Sequence, residues 1–166
     1  ADGWLPFMYS PSQGDDVFKK YLDKGFNKST EKNKKDRFNI VATVNAKICT
    51  EEEKEDNLKY ARNVYTLYVG GMGARNKNFY CDYAKRIGFE EAATKIQDLF
   101  LDGKRAEATA AVPQELIDQV ALVGSKDRIK DKLAEWKEAA NKRHVDTLIA
   151  RTDDIDTVRF LAENVL

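Results

Sequence analysis

Between Phe38 and Ile48 the sequence FNIVATVNAKI sets an apolar residue at every second position, a period that an extended strand turns into a face. Phe38, Ile40, Ala42, Val44, Ala46 and Ile48 share one side. Val41, Thr43, Asn45 and Lys47 share the other, which passes from apolar to polar toward its end. Such a strand suits a parallel barrel, in which the outer face meets helices, the lumen is packed low down and the mouth carries the chemistry. On that reading Asn45 and Lys47 look into an active site, although the strand alone names no reaction.

With 166 residues, 42% of them hydrophobic, the chain can bury one sizeable core, and one domain is expected. It opens at Ala1 directly inside ADGWLP, a strand-like run with no cap before it, which points to a longer natural product. The 28 basic and 28 acidic residues cancel, whereas a nucleic-acid binder ordinarily shows a basic surplus, so nucleic acid is not expected as a partner. The locally basic run from Lys19 to Arg37 is interleaved with Asp23, Glu31 and Asp36 and reads as a solvated surface segment. Cys49 and Cys81 lie far apart, with neither a CxxC pair nor a histidine at ligand spacing, which fits a reduced, cytoplasmic protein without a metal site. No apolar run approaches the roughly 18 residues of a membrane helix, and no signal-peptide pattern appears; no membrane partner is expected.

After the opening strand, Pro6, Pro11 and Gly14 punctuate a loop. Asp15 to Lys24 then forms a short helix with Val17, Phe18, Tyr21 and Leu22 on one side, ending near Gly25. Thr50 with Glu53 makes a capping box, and Glu51 and Glu52 favour the positive helix end. The helix that follows carries Leu58, Ala61, Tyr65 and Tyr68 and breaks at Gly70, Gly71 and Gly73. Further helices are predicted over Asn78 to Ile87, Glu90 to Leu101 and Pro113 to Val120, the last with Pro in its first turn. Ser125 caps the clearest amphipathic helix, Lys126 to Ala140, striped by Ile129, Leu133, Trp136 and Ala140. Val145 to Arg151 is short and β-rich, and Thr152 or Asp153 caps a last helix through Val158, Leu161, Ala162 and Val165.

Strand, helix, strand, several helices, strand, helix is a parallel α/β order. Three strands cannot close a barrel, and left open they would expose both sheet edges. The expected fold is therefore α/β, a (β/α)8 TIM barrel represented by its C-terminal portion of about three β/α units. Residues 51–122 form a helical insertion before the last strand, packed beside the mouth.

Three constellations invite chemistry. Gly70-Gly71-Met72-Gly73 follows a helix and lacks both the dinucleotide fingerprint and the phosphate-loop pattern; it reads as a helix-ending turn, with Arg75 a minor anion-binding candidate. His144, the lone histidine, precedes the last strand on the bottom side and drops out as a catalyst, because barrel chemistry gathers at strand C-terminal ends. At those ends stand Phe7, Met8 and Tyr9, then Asn45 and Lys47, then Arg151. The first group either lines a pocket for a planar ring or forms a packing cluster. Lys47 and Arg151 either hold phosphate or carboxylate, or form a salt-bridged rim with Asp153 and Asp154. No catalytic residue is singled out.

Longer segments carry a resemblance. ADGWLP, YVGGMGARNKNFY from Tyr68 to Tyr80, the Ala-Val-Pro and Val-Gly-Ser segments between Arg86 and Trp136, and VDTLIA from Val145 occur in one order. The chain closely resembles, over nearly its whole length, the C-terminal half of the luciferase-like monooxygenase family, particularly its deazaflavin-dependent oxidoreductases. The resemblance implies a (β/α)8 barrel with an insertion, the strands here being the sixth, seventh and eighth. It implies coenzyme F420 or FMN at the strand C-terminal ends, gripped largely by earlier strands in the missing N-terminal half of the barrel. One departure is local: the family usually has a glycine before Val-Asp-Thr, where this chain has Asn141-Lys142-Arg143-His144, which lengthens the turn.

These readings lead to a cytoplasmic oxidoreductase transferring hydride between coenzyme F420 or a flavin and a small organic substrate. Phe7, Tyr9, Asn45, Lys47 and Arg151 line the pocket, and the insertion closes over it. The alternatives are an FMN-dependent monooxygenase and a cofactor-free helical binding module. Barrel enzymes of this type often dimerise, so a homodimer is allowed, although no interface is legible.

Overall fold

The computed structural model describes residues 1–165. In chain order its elements are β1 (Gly3–Trp4), α1 (Gly14–Lys28), α2 (Lys34–Arg37), β2 (Asn39–Ile48), α3 (Glu51–Gly71), α4 (Phe79–Ala84) and α5 (Glu90–Leu101). There follow α6 (Arg105–Ala110), α7 (Gln114–Asp118), β3 (Ala121–Gly124), α8 (Lys126–Asn141), β4 (Thr147–Arg151) and α9 (Ile155–Val165). Two compact units result, one made of residues 1–49 with those from Leu122 onward, the other of Thr50–Ala121.

The first unit is organised by β2. It pairs in parallel with β1 at Gly3–Asn39 and Trp4–Ile40, and with β4 from Val41–Thr147 to Asn45–Arg151. Asn39 and Cys49 donate to the carbonyls of Asp2 and Gly124, so β1 and β3 share one edge of β2 while β4 takes the other. The alternation sorts the two faces. Ile40, Ala42, Val44 and Ala46 are buried, while Val41, Thr43, Asn45 and Lys47 are half-buried. The buried face meets Ile129, Leu133 and Trp136 of α8 and Phe160 and Leu161 of α9. Each large side chain buried there contributes roughly 1.5–3 kcal/mol. The surface pairs Lys132–Glu135, part-buried, and Lys142–Glu138, exposed, add about 1 kcal/mol each or less. The apolar stripe therefore orients α8.

Asp146 starts the β2–β4 ladder with both its backbone and its side chain. Its N–H donates to Ile40 O at 2.9 Å, and its Oδ2 accepts from Ile40 N at 2.9 Å. Beside it, Thr147 and Asn39 join side chain to side chain at 3.3 Å. In Val145-Asp146-Thr147, then, the first residue enters the core while the next two fasten strand to strand.

Several expectations are corrected. The sheet has four strands among the described residues, because Ala121–Gly124, fully buried, is a strand that the sequence reading passed over. Helix α1 runs through Gly25 to Lys28, and Tyr21 is 52% exposed instead of facing the core. The last helix buries Thr157, Phe160 and Leu161, leaving Val158 and Val165 exposed, and Asp154 receives the Thr157 N–H at its start. The basic run holds the extra turn α2, and four of its cations pair with neighbours: Lys19 and Lys35 with Asp23, Lys34 and Arg37 with Glu31.

In the second unit α3 opens on the complete capping box, Glu53 N to Thr50 Oγ1 at 3.3 Å and Thr50 N to Glu53 Oε2 at 3.1 Å. Leu58, Ala61, Tyr65 and Val69 form its buried stripe. The helix includes Gly70 and Gly71 because the Phe100 ring of α5 lies against them; a Cβ on Gly70 would sit 2.6 Å from Phe100 Cβ. Asn78 ties the helix ends together: its amide donates to Tyr68 O and Val69 O at 2.9 and 2.8 Å and accepts from Tyr80 N and Cys81 N. Arg75 pairs with Asp98 and Asp102 of this unit. Where one helix was expected over Asn78 to Ile87, α4 gives way at Lys85–Phe89 to a kink in which Gly88 takes φ +93°. The turn α6 was not foreseen, and Pro113 stands just before α7 as its N-cap.

Candidate functional site at the strand ends

Parallel register places Asn45 beside Arg151, and partners across a ladder share a face. The face opposite the helix-packed core therefore carries Val41 with Thr147, Thr43 with Ile149 and Asn45 with Arg151, and Lys47 stands one step further along β2. From bottom to top it passes from apolar to charged. Ile149 is 44% exposed.

Beyond Arg151 the β4 ladder stops while β2 continues, so the last amides of β2 need other partners. Ile48 N donates to Thr157 Oγ1 at 2.9 Å, and Cys49 N on the other edge donates to Gly124 O at 3.0 Å. The Thr157 hydroxyl in turn donates to Asp154 Oδ2 at 2.5 Å, and the same oxygen accepts the Thr157 N–H at 3.2 Å. Thr157 is fully buried. Asp154 is held below the usual carboxylate range, chiefly by the Thr157 hydroxyl, against some desolvation and with help from the Thr157 amide and the Lys47 charge. It is thus an anion at neutral pH and has no proton to give.

Lys47 Nζ lies 3.5 Å from Asp153 Oδ1, whose side chain is 95% exposed. An ion pair this open is worth about 0–1 kcal/mol, which a ligand anion can displace. Lys47 thus stands against Asp153 and within the field of Asp154.

Tyr9 takes the packing alternative. It is 2% exposed, stacks on Phe18 at 6.3 Å, meets Trp4 edge-on at 6.2 Å and belongs to the core cluster on the helix side of the sheet. Gly14 presses against its ring, a Cβ there falling 2.6 Å from Tyr9 Cε2. Met8 is buried too, at φ +61°. Phe7 is half-buried in the segment after β1. The residues brought together on one face are therefore Asn45, Lys47 and Arg151. Thr157 was missed, because a stripe running through Val158 sets the helix phase one residue off; Phe160 beside Leu161 puts Thr157 inward.

At the opposite end of the strands is a cavity of about 290 Å³ lined by residues that include Phe26, Lys35, Phe38, Arg143 and His144. His144 Nε2 sits 3.3 Å from Asp15 Oδ2 there, away from the strand C-termini. In the second unit Cys81 is buried, and burial pushes its thiol up, which keeps it protonated. Among the described residues no helix is long and apolar enough to cross a membrane.

The model of the luciferase-like monooxygenase family matches residues 1–142. A protein of Mycobacterium tuberculosis strain H37Rv that carries the name of a coenzyme F420-dependent oxidoreductase is 30% identical over 162 residues, 98% of this chain and 45% of that protein. The coenzyme F420-dependent tetrahydromethanopterin reductase of Methanopyrus kandleri superposes with a TM-score of 0.63 at 19% identity, over 99% of this chain and 44% of its own. That likeness is one of fold. The chain spans about half the length of the relatives it matches.

Proposed function

The chain belongs to the luciferase-like monooxygenase family, and we propose that it supplies the C-terminal mouth residues of an oxidoreductase that uses coenzyme F420 and a small organic substrate. The observation that carries this is the face on which Asn45 stands beside Arg151 with Lys47 beyond them. The name carried by the mycobacterial relative supports the choice of cofactor. The strand order supports a barrel reading: β1, β2 and β4 are sequential parallel neighbours, as the sixth to eighth strands of a (β/α)8 barrel would be. On this reading β3 is an added short strand, and the N-terminal half of the barrel covers the open face.

The donor set fits an anionic, planar cofactor. Lys47 and Arg151 are cationic donors suited to phosphate or carboxylate groups, and Asn45 offers an amide that can both donate and accept. Hydride transfer is the chemistry a bound deazaflavin supplies. Lys47 and Arg151 hold the anionic groups, Asn45 fixes orientation, and Ile149 with Val41 keeps the lower lumen dry. Asp154, ionised, holds Thr157 in place and takes no part as an acid. Phe7 stays a candidate for the pocket wall from the C-terminal side of β1. The setting is cytoplasmic.

The test is made on the complete gene product that contains this chain. Oxidised coenzyme F420 and FMN are titrated separately, and oxygen uptake is followed with each reduced cofactor. Saturable binding of coenzyme F420 with no reduced-cofactor-dependent oxygen uptake supports the proposal. Oxygen uptake with reduced FMN would move the assignment to an FMN-dependent monooxygenase. Binding of neither cofactor refutes it in favour of a cofactor-free module.

A further inference from the structure

The polar atoms around the end of β2 converge on Thr157, a buried residue of α9. Ile48 N has no strand partner on the β4 side, since Arg151 pairs with Asn45 and the ladder ends there. Thr157 Oγ1 takes that place at 2.9 Å. The hydroxyl can accept from Ile48 only with its own proton turned elsewhere, and Asp154 Oδ2 at 2.5 Å receives it. Asp154 is itself fixed, its N–H on Thr152 Oγ1 at 3.2 Å and its Oδ2 on the Thr157 amide. On the opposite edge Cys49 N is held by Gly124 O. Lys47 immediately precedes these two clamps, on the residue adjoining Ile48.

We propose that Thr157, oriented by Asp154, is a positioning residue: it replaces the missing ladder partner of β2 and so sets the height and direction of Lys47 at the mouth. This rests on Lys47 being a cofactor contact, as argued above. Three features support it. Thr157 is completely buried, although a polar side chain there costs stability unless its hydrogen bonds are made. The position is helical and would accept an apolar residue in the stripe with Phe160 and Leu161. And the bond it makes crosses from helix to strand over 109 residues of sequence, to the amide next to Lys47.

The variant Thr157→Val keeps the shape and removes the hydroxyl, and Thr157→Ser keeps the hydroxyl. In the complete gene product, with folded protein quantified and melting followed in parallel, coenzyme F420 is titrated into wild type, T157V, T157S, K47Q and the T157V/K47Q pair. A positioning role predicts that T157V weakens binding about tenfold, that T157S stays within about twofold of wild type, and that T157V costs little once Lys47 is gone. A purely structural role lowers the melting temperature of T157V while leaving its affinity unchanged, or makes the two substitutions multiply independently; either result overturns the proposal. If wild type binds the cofactor but K47Q binds equally well, the Lys47 contact fails, and this inference with it. If wild type binds no cofactor, the proposed function itself falls, which is a separate and recognisable outcome. Should T157V not fold, Asp154→Asn reads the same network: about threefold weaker binding supports the role, and unchanged binding overturns it.

Discussion

Asn78 is a single buried amide that uses both its donors and its acceptor on backbone, closing the end of α3 and opening α4. Asn78→Ala leaves two carbonyls and two amides short of partners, and each buried polar group so stranded costs about 1–3 kcal/mol. Because water rescues part of this, we expect about 2–4 kcal/mol of destabilisation by urea titration, and a larger loss for Asn78→Asp, which cannot donate to Tyr68 O and Val69 O. A loss under about 0.5 kcal/mol would show that the amide carries no such load. Asp154 gives a pH prediction. Its carboxyl is depressed in the folded state, so its contribution is complete above about pH 5 and is lost as pH falls through the folded value. Asp154→Asn should therefore flatten the acid limb of stability below about pH 5 and leave the curve above it parallel to wild type; an unchanged acid limb would refute the depressed value. At this scale sequence reading succeeds where a residue works on its near neighbours, as Thr50 and Glu53 do. It fails where the partner is remote: nothing near Thr157 announces Ile48, and Tyr9 could not be assigned to core or mouth before Gly14 and Phe18 were seen against its ring.

Among elements, the contact of α3 with α5 makes the sharpest prediction. A Cβ on Gly71 would strike the far atoms of the Phe100 ring, whereas one on Gly70 would meet Phe100 Cβ itself. Each Gly→Ala change should cost about 1–3 kcal/mol as overpacking. The companion change Phe100→Ala should rescue Gly71→Ala and leave Gly70→Ala unrescued; equal rescue of both, measured by double-mutant cycles in denaturant, would contradict the packing. The glycine run thus serves helix packing, which a motif search for phosphate loops could only exclude. β2, α5 and α8 were legible because each sustains one period over ten or more residues. β3 was not, since four buried residues show no alternation. α1 runs past Gly25 because a glycine on an open helix surface costs only about 1 kcal/mol, and nothing crowds or replaces the helix there.

For the whole molecule, the sheet face bearing Val41, Thr43 and Ile149 is the feature that most needs explanation. Expressed alone, this chain should bind a hydrophobic dye through that face, and the complete gene product should not; equal dye binding by both would remove the case for further strands over it. The parallel order and the polar strand ends were readable from alternation and family pattern. The fourth strand and the clamps that fix β2 were not, because they depend on segments more than 70 residues apart. The most direct test is a structure of the complete gene product with oxidised coenzyme F420 bound. We expect anionic or ring polar atoms within hydrogen-bond distance of Asn45, Lys47 or Arg151 at the C-terminal ends of β2 and β4. A cofactor seated at the His144 end of the strands, or touching none of these three side chains, would contradict the proposed site.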